Sequence, residues 1–283
     1  MKIALIADST AYLTQDQVER FKVNVIDLNV LFGNEVTKES EMNVTSFYER
    51  MRNEKELPTT SQPAIGDYVQ LLESLKQDGY TDAIAIHLSS GISGTYQNAI
   101  TAGSMVEGIN MHAIDSEIAC MPAGFYTAKA AELIEAEVPV TQIVSAIETL
   151  KSETAAYFLV DDLKNLHKGG RLTGAQAFIG SMLQVKPILH FVDTKIVPFD
   201  KVRTKKKAMK QIESLIADFV GDETFTGTII HGNCEAEAKA WLNALQEKYP
   251  DVRFVLSHFG PVIGTHLGEN ALGFGVTKSK LNI

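Results

Sequence analysis

The sequence predicts an α/β protein of two domains: an N-terminal domain built on a parallel sheet, and a mixed α+β C-terminal domain. Two observations carry this. In the first half, short runs rich in Ile, Ala and Val alternate with longer segments of helical period, the pattern of strands joined by crossover helices. From about Thr154 the texture changes to a hairpin followed by two long amphipathic helices. The boundary is placed between residues 155 and 156, giving domains 1–155 and 156–283. A length of 283 residues with 45% hydrophobic and 22% charged side chains is enough for a substantial core without disulfide staples.

In chain order, "KIALIA" reads as the first strand. It is followed by "DSTAYLTQDQVERF", where Thr14 and Gln17 have the spacing of a capping box and Val18 and Phe21 begin an apolar face. "DAIAIHL" and "INMHAI" read as further strands, and Ile65 to Leu75 as a helix. The three strands end in small polar residues: Asp8-Ser9-Thr10, Ser89-Ser90 and Asp115-Ser116. In a parallel sheet these ends share one edge, where open α/β sheets bind ligands. "AAYFLVDDL" reads as a strand, and "KPILHFVDTKIVPF" as a hairpin turning at Asp193-Thr194. The helices "AMKQIESLIADFV" and "EAEAKAWLNALQEKY" are expected to bury Leu215, Ile216 and Phe219, and Trp241, Leu242 and Leu245.

Charge and composition exclude several classes. A net charge of −9 argues against a nucleic-acid binder and against a protein that coats anionic membranes by general attraction, so any anion site must be local. Cys120 and Cys234 have no metal-ligand spacing, and two thiols so far apart fit a reducing cytoplasm. Asp8 interrupts the N-terminal apolar run before it reaches the length of a signal peptide or membrane span.

Five stretches carry candidate chemistry. "SSGISGTYQNAITAG", from Ser89 to Gly103, places the amides of Gly94, Thr95 and Tyr96 at the start of a helix, beside the hydroxyls of Ser90, Ser93 and Thr95. It fits an anion cradle, and equally a serine-capped helix after a tight loop. "PTTSQP" holds Thr60 and Ser61 between two prolines that restrict the backbone. The glycine-rich "HFGPVIGTHLGENALGFG" contains His258, read as a strand end, and His266, read as a donor to a carboxylate. "KVRTKKKAMK" puts Lys205, Lys206 and Lys207 in the first turn after a Thr204 cap, where cations are disfavoured and an acidic or phosphorylated partner would offset them. Arg171 in "HKGGRLTG" fits an anion contact or a surface turn.

Taken in order, Asp8-Ser9-Thr10, "TSQP", "SSGISGTYQ", "GGRLTG", "KPIL", Arg203 and "FGPVIGTHLG" resemble the DegV family along nearly the whole chain. The resemblance implies a DegV-like two-domain fold and a bacterial fatty-acid-binding protein. Such a subunit holds one long-chain fatty acid in a tunnel between its domains and presents the carboxylate to a separate, ATP-binding fatty acid kinase. The acyl-phosphate formed would feed phospholipid synthesis. By motif position, Thr60, Ser61, Ser93, Gly94 and His266 would bind the carboxylate, and Arg171 and Arg203 would contact product or partner. The fatty acid would be a ligand with no further cofactor or metal, the protein itself would not be an enzyme, and a transient membrane contact is compatible with delivery. Two departures stand out: Leu172-Thr173 where Ile-Ser is common, and Glu269-Asn270 where Pro-Gly is frequent, which sets a negative charge close to a carboxylate site. A serine-type ester or acyl hydrolase using Ser93 and His266 is the alternative. "GISGT" lacks the spacing of a nucleophile elbow, and no acid partner for the histidine is evident.

Overall fold

The structure is a computed structural model and describes residues 2–161, 163–173 and 185–283. Asp162 and Gly174, which fall in two of the motifs above, lie outside the described residues. The first half runs β1 (Ile3–Asp8), α1 (Gln15–Phe21), β2 (Val23–Ile26), β3 (Asn29–Phe32), β4 (Glu35–Lys38), α2 (Val44–Asn53), β5 (Thr59–Ser61), α3 (Ile65–Gln77), β6 (Asp82–His87), α4 (Thr95–Met105), β7 (Asn110–Asp115), α5 (Met121–Glu135) and α6 (Val140–Ser152). The second half continues with β8 (Thr154–Leu159), α7 (Lys164–Lys168), β9 (Lys186–Val192), β10 (Lys195–Val202), α8 (Lys205–Val220), β11 (Thr226–His231), α9 (Glu235–Lys248), β12 (Arg253–His258), α10 (Pro261–Leu267) and β13 (Leu272–Thr277).

A four-stranded sheet of order β2-β1-β6-β7 is parallel throughout. Its two central strands, β1 and β6, are buried on both faces, which is why "IALIAD" and "DAIAIH" read as continuous rather than alternating apolar runs. On one face Ala4, Ile6, Ala83 and Ala85 meet Tyr68 and Leu72 of α3 and Ala99 and Ala102 of α4. On the other, Leu5, Ala7, Ile84 and Ile86 pack with residues of α5 and α6. The ends of β1, β6 and β7 lie side by side, as expected. The Thr14–Gln17 capping box at α1 is present in both directions.

The second sheet has six strands in the order β10-β9-β8-β13-β11-β12, with only the β11–β12 pair parallel. Both residues of the β9–β10 turn have positive φ, Asp193 at 47° and Thr194 at 68°, the geometry that matches strand twist in a two-residue hairpin. One face of this sheet is covered by α8 and α9, with Ile212, Ile216, Trp241 and Leu245 packed on Leu159, Ile229 and Phe274. The buried stripe of α8 is Ala208, Ile212, Ile216 and Val220; Leu215 and Phe219, expected inside, are half-buried at its flank. The small Ala208 lets the helix roll its i, i+4 row onto the sheet. Likewise α9 buries Ala238, Trp241 and Leu245 and leaves Leu242 half-buried. The other face looks toward α5, and the space between holds the site described below.

A third sheet, β4-β3-β5, was not evident in the sequence because its strands are short and its β4 is largely exposed. It brings β5, with Thr60 and Ser61, beside α10, a helix from the far end of the chain. That helix also packs on α2, where a Cβ on Gly264 would lie 2.5 Å from the Tyr48 hydroxyl oxygen. Only a glycine permits this approach. Both cysteines are free thiols. Among the described residues no helix is long and apolar enough to cross a membrane.

Candidate functional site

The site is built from the loop after β6, from β5, and from α10. The loop is anchored from below by a buried chain of hydrogen bonds. Tyr68 Oη lies 2.6 Å from His87 Nε2, His87 Nδ1 lies 3.1 Å from Asp8 Oδ2, and Asp8 accepts from the Leu88 and Thr10 amides. Asp8 and His87 are thus consumed in fixing strand ends. From above, the β9–β10 tip rests on the same loop: Ser89 Oγ donates to the Thr194 carbonyl at 2.6 Å, and a Cβ on Gly91 would collide with that carbonyl. Part of the hydroxyl-rich stretch therefore holds a hairpin rather than a ligand.

The remaining residues converge. Thr60, Ser61, Gln62, Ser93, Arg171 and His266 line one pocket together with Leu28, Leu88, Ile92 and Ile263. Ser93 Oγ is 2.9 Å from Thr95 Oγ1, and Gly94 is the N-cap residue of α4, with the Gln62 side chain against its Cα. Ser61 Oγ accepts from Asn29 Nδ2 at 3.2 Å, which leaves its own proton to donate.

His266 Nε2 lies 2.8 Å from Thr60 Oγ1, while Nδ1 is buried without a partner. An unpaired buried N–H is rarer than an unpaired lone pair, which assigns the proton to Nε2. The ring then donates to Thr60, and the Thr60 O–H turns into the pocket. Burial, followed by the positive charge of Arg171, lowers the His266 pKa to about 4, so the ring is neutral near pH 7.

The position of His266 is set by α10, and the start of α10 is set by Glu39. Glu39 Oε1 accepts from the Val262 amide at 2.8 Å and from Tyr12 Oη at 2.9 Å, while Ser9 Oγ donates to Oε2. Tyr12 Oη in turn accepts from the Ile263 amide at 3.2 Å. Burial raises the Glu39 pKa to about 7 against these three donors. Neither Glu39 nor Tyr12 stood out in the sequence, because a glutamate between exposed residues gives no signal that tertiary contacts will bury it.

Arg171 is placed inside the pocket. Its Nε donates to the Ile92 carbonyl and Nη1 to the Gly169 carbonyl, and burial lowers its pKa. The head of the pocket therefore contains a cation as well as neutral donors. Arg203 is exposed in the bend before α8 and does not line this pocket. Thr204 caps α8, and Lys205 pairs with Glu237 of α9, an offset to the cations at that helix start. Glu269, a departure from the family pattern, is turned away from the head pocket and held by Arg52 at 2.9 Å and Asn233 at 2.7 Å.

Behind the polar pocket lies an apolar chamber between the start of α5 and the second sheet. Its walls include Cys120, Pro122, Phe158, Ile230, Phe259 and Phe274. The two spaces share Ile92, Ile196, Ile263 and Leu267 as a common wall, so they adjoin, one polar and the other apolar. The chamber itself is a narrow seam with a cavity volume of about 40 Å³. Pockets for molecules of lipid or drug size run to roughly 300–1,000 Å³. Any molecule of that size could enter only by spreading these side chains. Among the described residues no group of three or more His, Cys, Asp or Glu side chains could hold a metal ion.

A parallel sheet and a separate mixed sheet, with a polar pocket adjoining an apolar chamber, define an α/β protein of the DegV fold. The chain belongs to the DegV family: the family described as "Uncharacterised protein, DegV family" matches residues 2–279. A DegV domain-containing protein of Listeria monocytogenes is 50% identical over 274 residues, covering 96% of this chain and 97% of that protein. Among solved structures, DegV of Bacillus subtilis, described as a fatty acid binding protein, superposes with a TM-score of 0.92 at 48% identity, covering 98% of this chain and 99% of that one. A fatty acid binding DegV family protein from Streptococcus agalactiae gives 0.91 at 33% identity, covering 99% and 100%.

Proposed function

We propose that this protein binds one long-chain fatty acid, with its carboxylate among Thr60, Ser61, Ser93, the Gly94 amide, His266 and Arg171, and its tail in the apolar chamber. The observation that carries this is that the polar pocket adjoins the apolar chamber, with Ile92, Ile196, Ile263 and Leu267 on the wall of both. The description of the Bacillus subtilis and Streptococcus agalactiae relatives as fatty acid binding proteins supports it. Each CH₂ removed from water is worth about 0.8 kcal/mol, so the tail supplies affinity, less the costs of ordering and of parting the walls. The head supplies orientation, because a buried carboxylate is tolerated only where donors meet it.

In this reading the chain is a carrier. It holds the carboxylate still as a nucleophile, and a separate kinase brings ATP and transfers the phosphoryl group. The acyl-phosphate then passes to phospholipid synthesis in the cytoplasm, with transient contact at the membrane. Arg203, exposed beside the Thr204 cap, belongs to the surface offered to that kinase.

The hydrolase alternative requires Ser93 and His266 to pair. Ser93 Oγ is instead bonded to Thr95 and His266 Nε2 to Thr60, and His266 Nδ1 has no acid to orient it. Solvent extraction of purified protein followed by mass spectrometry is expected to recover fatty acid. Recovery of a different small molecule at full occupancy would overturn the proposal. Addition of a fatty acid kinase and ATP is expected to give acyl-phosphate, and no ester hydrolysis is expected without it.

A further inference from the structure

The six-stranded sheet is split near the tail end of the channel. Strands β8 and β9 pair only at Tyr157–His190, Phe158–Leu189 and Leu159–Ile188. Continued by two residues, the antiparallel register would join Ala156 to Phe191 and Ala155 to Val192, yet these pairs are not made. Meanwhile β8 remains paired to β13 down to Thr154, and β9 to β10 down to Val192, so each strand keeps its other neighbour while the two diverge.

The gap opens into a cavity of about 280 Å³, against about 40 Å³ for the apolar chamber. Ile118, Ala156, Tyr157 and Phe191 line both spaces and form the constriction between them. Beyond it the walls are mixed: Glu117, Lys151, His190 and Asp193 stand beside Tyr126, Ala155 and Phe219.

We propose that this gap is a second, tail-end mouth of the acyl channel, and that fatty acids bearing a neutral polar group on the terminal carbon, ω-hydroxy acids in particular, are ligands with that group in the gap. The proposal rests on the fatty acid binding proposed above. A chamber closed by apolar walls rejects a terminal hydroxyl, because the group would be buried without a partner at a penalty of roughly 10- to 100-fold in affinity. A chamber that leads between two unpaired strand edges into a cavity holding polar partners does not impose that penalty.

Charge distinguishes the neutral hydroxyl from a second carboxylate. Lys151 is already held by Glu117 at 3.3 Å and Glu148 at 2.8 Å, and Asp193 lies on the same cavity, so acids outnumber the lysine. His190, stacked on Tyr157 with ring centroids 5.5 Å apart, has its pKa lowered by burial and is a neutral hydrogen-bonding partner near pH 7. Phe191 is the specificity-determining side chain, standing on the channel side with Phe158 at 6.2 Å between centroids.

Delipidated protein is titrated with saturated acids from C12 to C20, each beside its own ω-hydroxy and ω-carboxy derivative. For at least one chain length the ω-hydroxy acid is expected to bind within about fivefold of its parent, and the dicarboxylic acid at least tenfold more weakly than the hydroxy acid. In Phe191→Trp, with its fold checked by melting, the hydroxy acid is expected to lose about tenfold relative to its parent. A hydroxyl penalty above fivefold at every length would overturn the second mouth while leaving fatty acid binding intact. Failure of every parent acid to bind would remove the underlying proposal, and this one with it.

Discussion

His266 and Thr60 stand 206 residues apart in the chain, and the imidazole Nε2 of one lies 2.8 Å from the hydroxyl oxygen of the other. This bond ties the C-terminal helix to the short β5 strand and points the remaining Thr60 proton into the head of the channel. Thr60→Val keeps the shape and removes both functions. It is expected to weaken fatty acid binding by roughly tenfold and to destabilise the protein by about 1–3 kcal/mol, because the His266 N–H is left unpaired. Equilibrium binding and thermal melting check both, and unchanged affinity would take Thr60 out of the site.

Arg171 acts on that pair by charge. Arg171→Met is expected to reduce carboxylate affinity by tenfold or more. It is also expected to raise the His266 pKa from about 4, since the positive guanidinium adds to burial in disfavouring the imidazolium. Titration of the imidazole by NMR reads the second effect, and a pKa left in place would contradict the proximity of the two charges.

Glu39 and His266 impose opposite pH dependences. The His266 pKa falls from 6.5 to about 4 on folding, so its contribution, up to about 3 kcal/mol, is present above pH 6.5 and is lost as pH falls toward 4. The Glu39 pKa rises from 4.5 to about 7, so its contribution, of similar size, is present below pH 4.5 and is lost as pH rises toward 7. Between pH 4.5 and 6.5 the two oppose each other. Denaturant titrations of His266→Gln are expected to show stability falling more steeply with rising pH than in the parent, and those of Glu39→Gln the reverse. Parallel profiles for all three proteins would contradict the burial of these groups.

The hairpin tip is seated by the absence of a side chain at Gly91. Gly91→Ala is expected to lift Thr194 and, two residues on, Ile196, which lines both halves of the channel. Loss of about 1–3 kcal/mol of stability together with weaker fatty acid binding is the expected outcome. Calorimetric melting with and without palmitate separates these effects.

Cys120 lines the apolar chamber, and burial raises its pKa well above that of a free thiol. In a Cys234→Ser background, an alkyl maleimide at pH 9 is expected to label Cys120 slowly, and at least tenfold more slowly once palmitate is bound. Equal rates would place the tail elsewhere.

Much of this architecture was legible in the sequence. Continuous apolar runs gave the central parallel strands because both faces are covered, the Asp193-Thr194 turn gave the hairpin, and the polar ends of β1, β6 and β7 do share one edge. The DegV resemblance implies that His266 completes a pocket with Thr60 and Ser93, and these three residues line one pocket. Other features were hidden because they are made by contacts distant in sequence. The β4-β3-β5 sheet is too short to leave a pattern. Glu39 becomes a buried helix anchor only when α10 folds across it, and Arg171 acquires its place in the pocket from the Ile92 and Gly169 carbonyls. The role of Ser89 and Gly91 as a seat for the hairpin also depends on a partner over a hundred residues away.

The proposed binding mode puts a single acyl tail in the apolar chamber and its carboxylate in the polar pocket. Its most direct test is equilibrium titration of delipidated protein with labelled palmitate, alongside palmitate methyl ester and octanoate. One molar equivalent of palmitate is expected to bind, with the ester and the short acid each at least tenfold weaker, because one lacks the charge and the other the tail. Absence of saturable palmitate binding, or equal binding of acid and ester, would contradict the account.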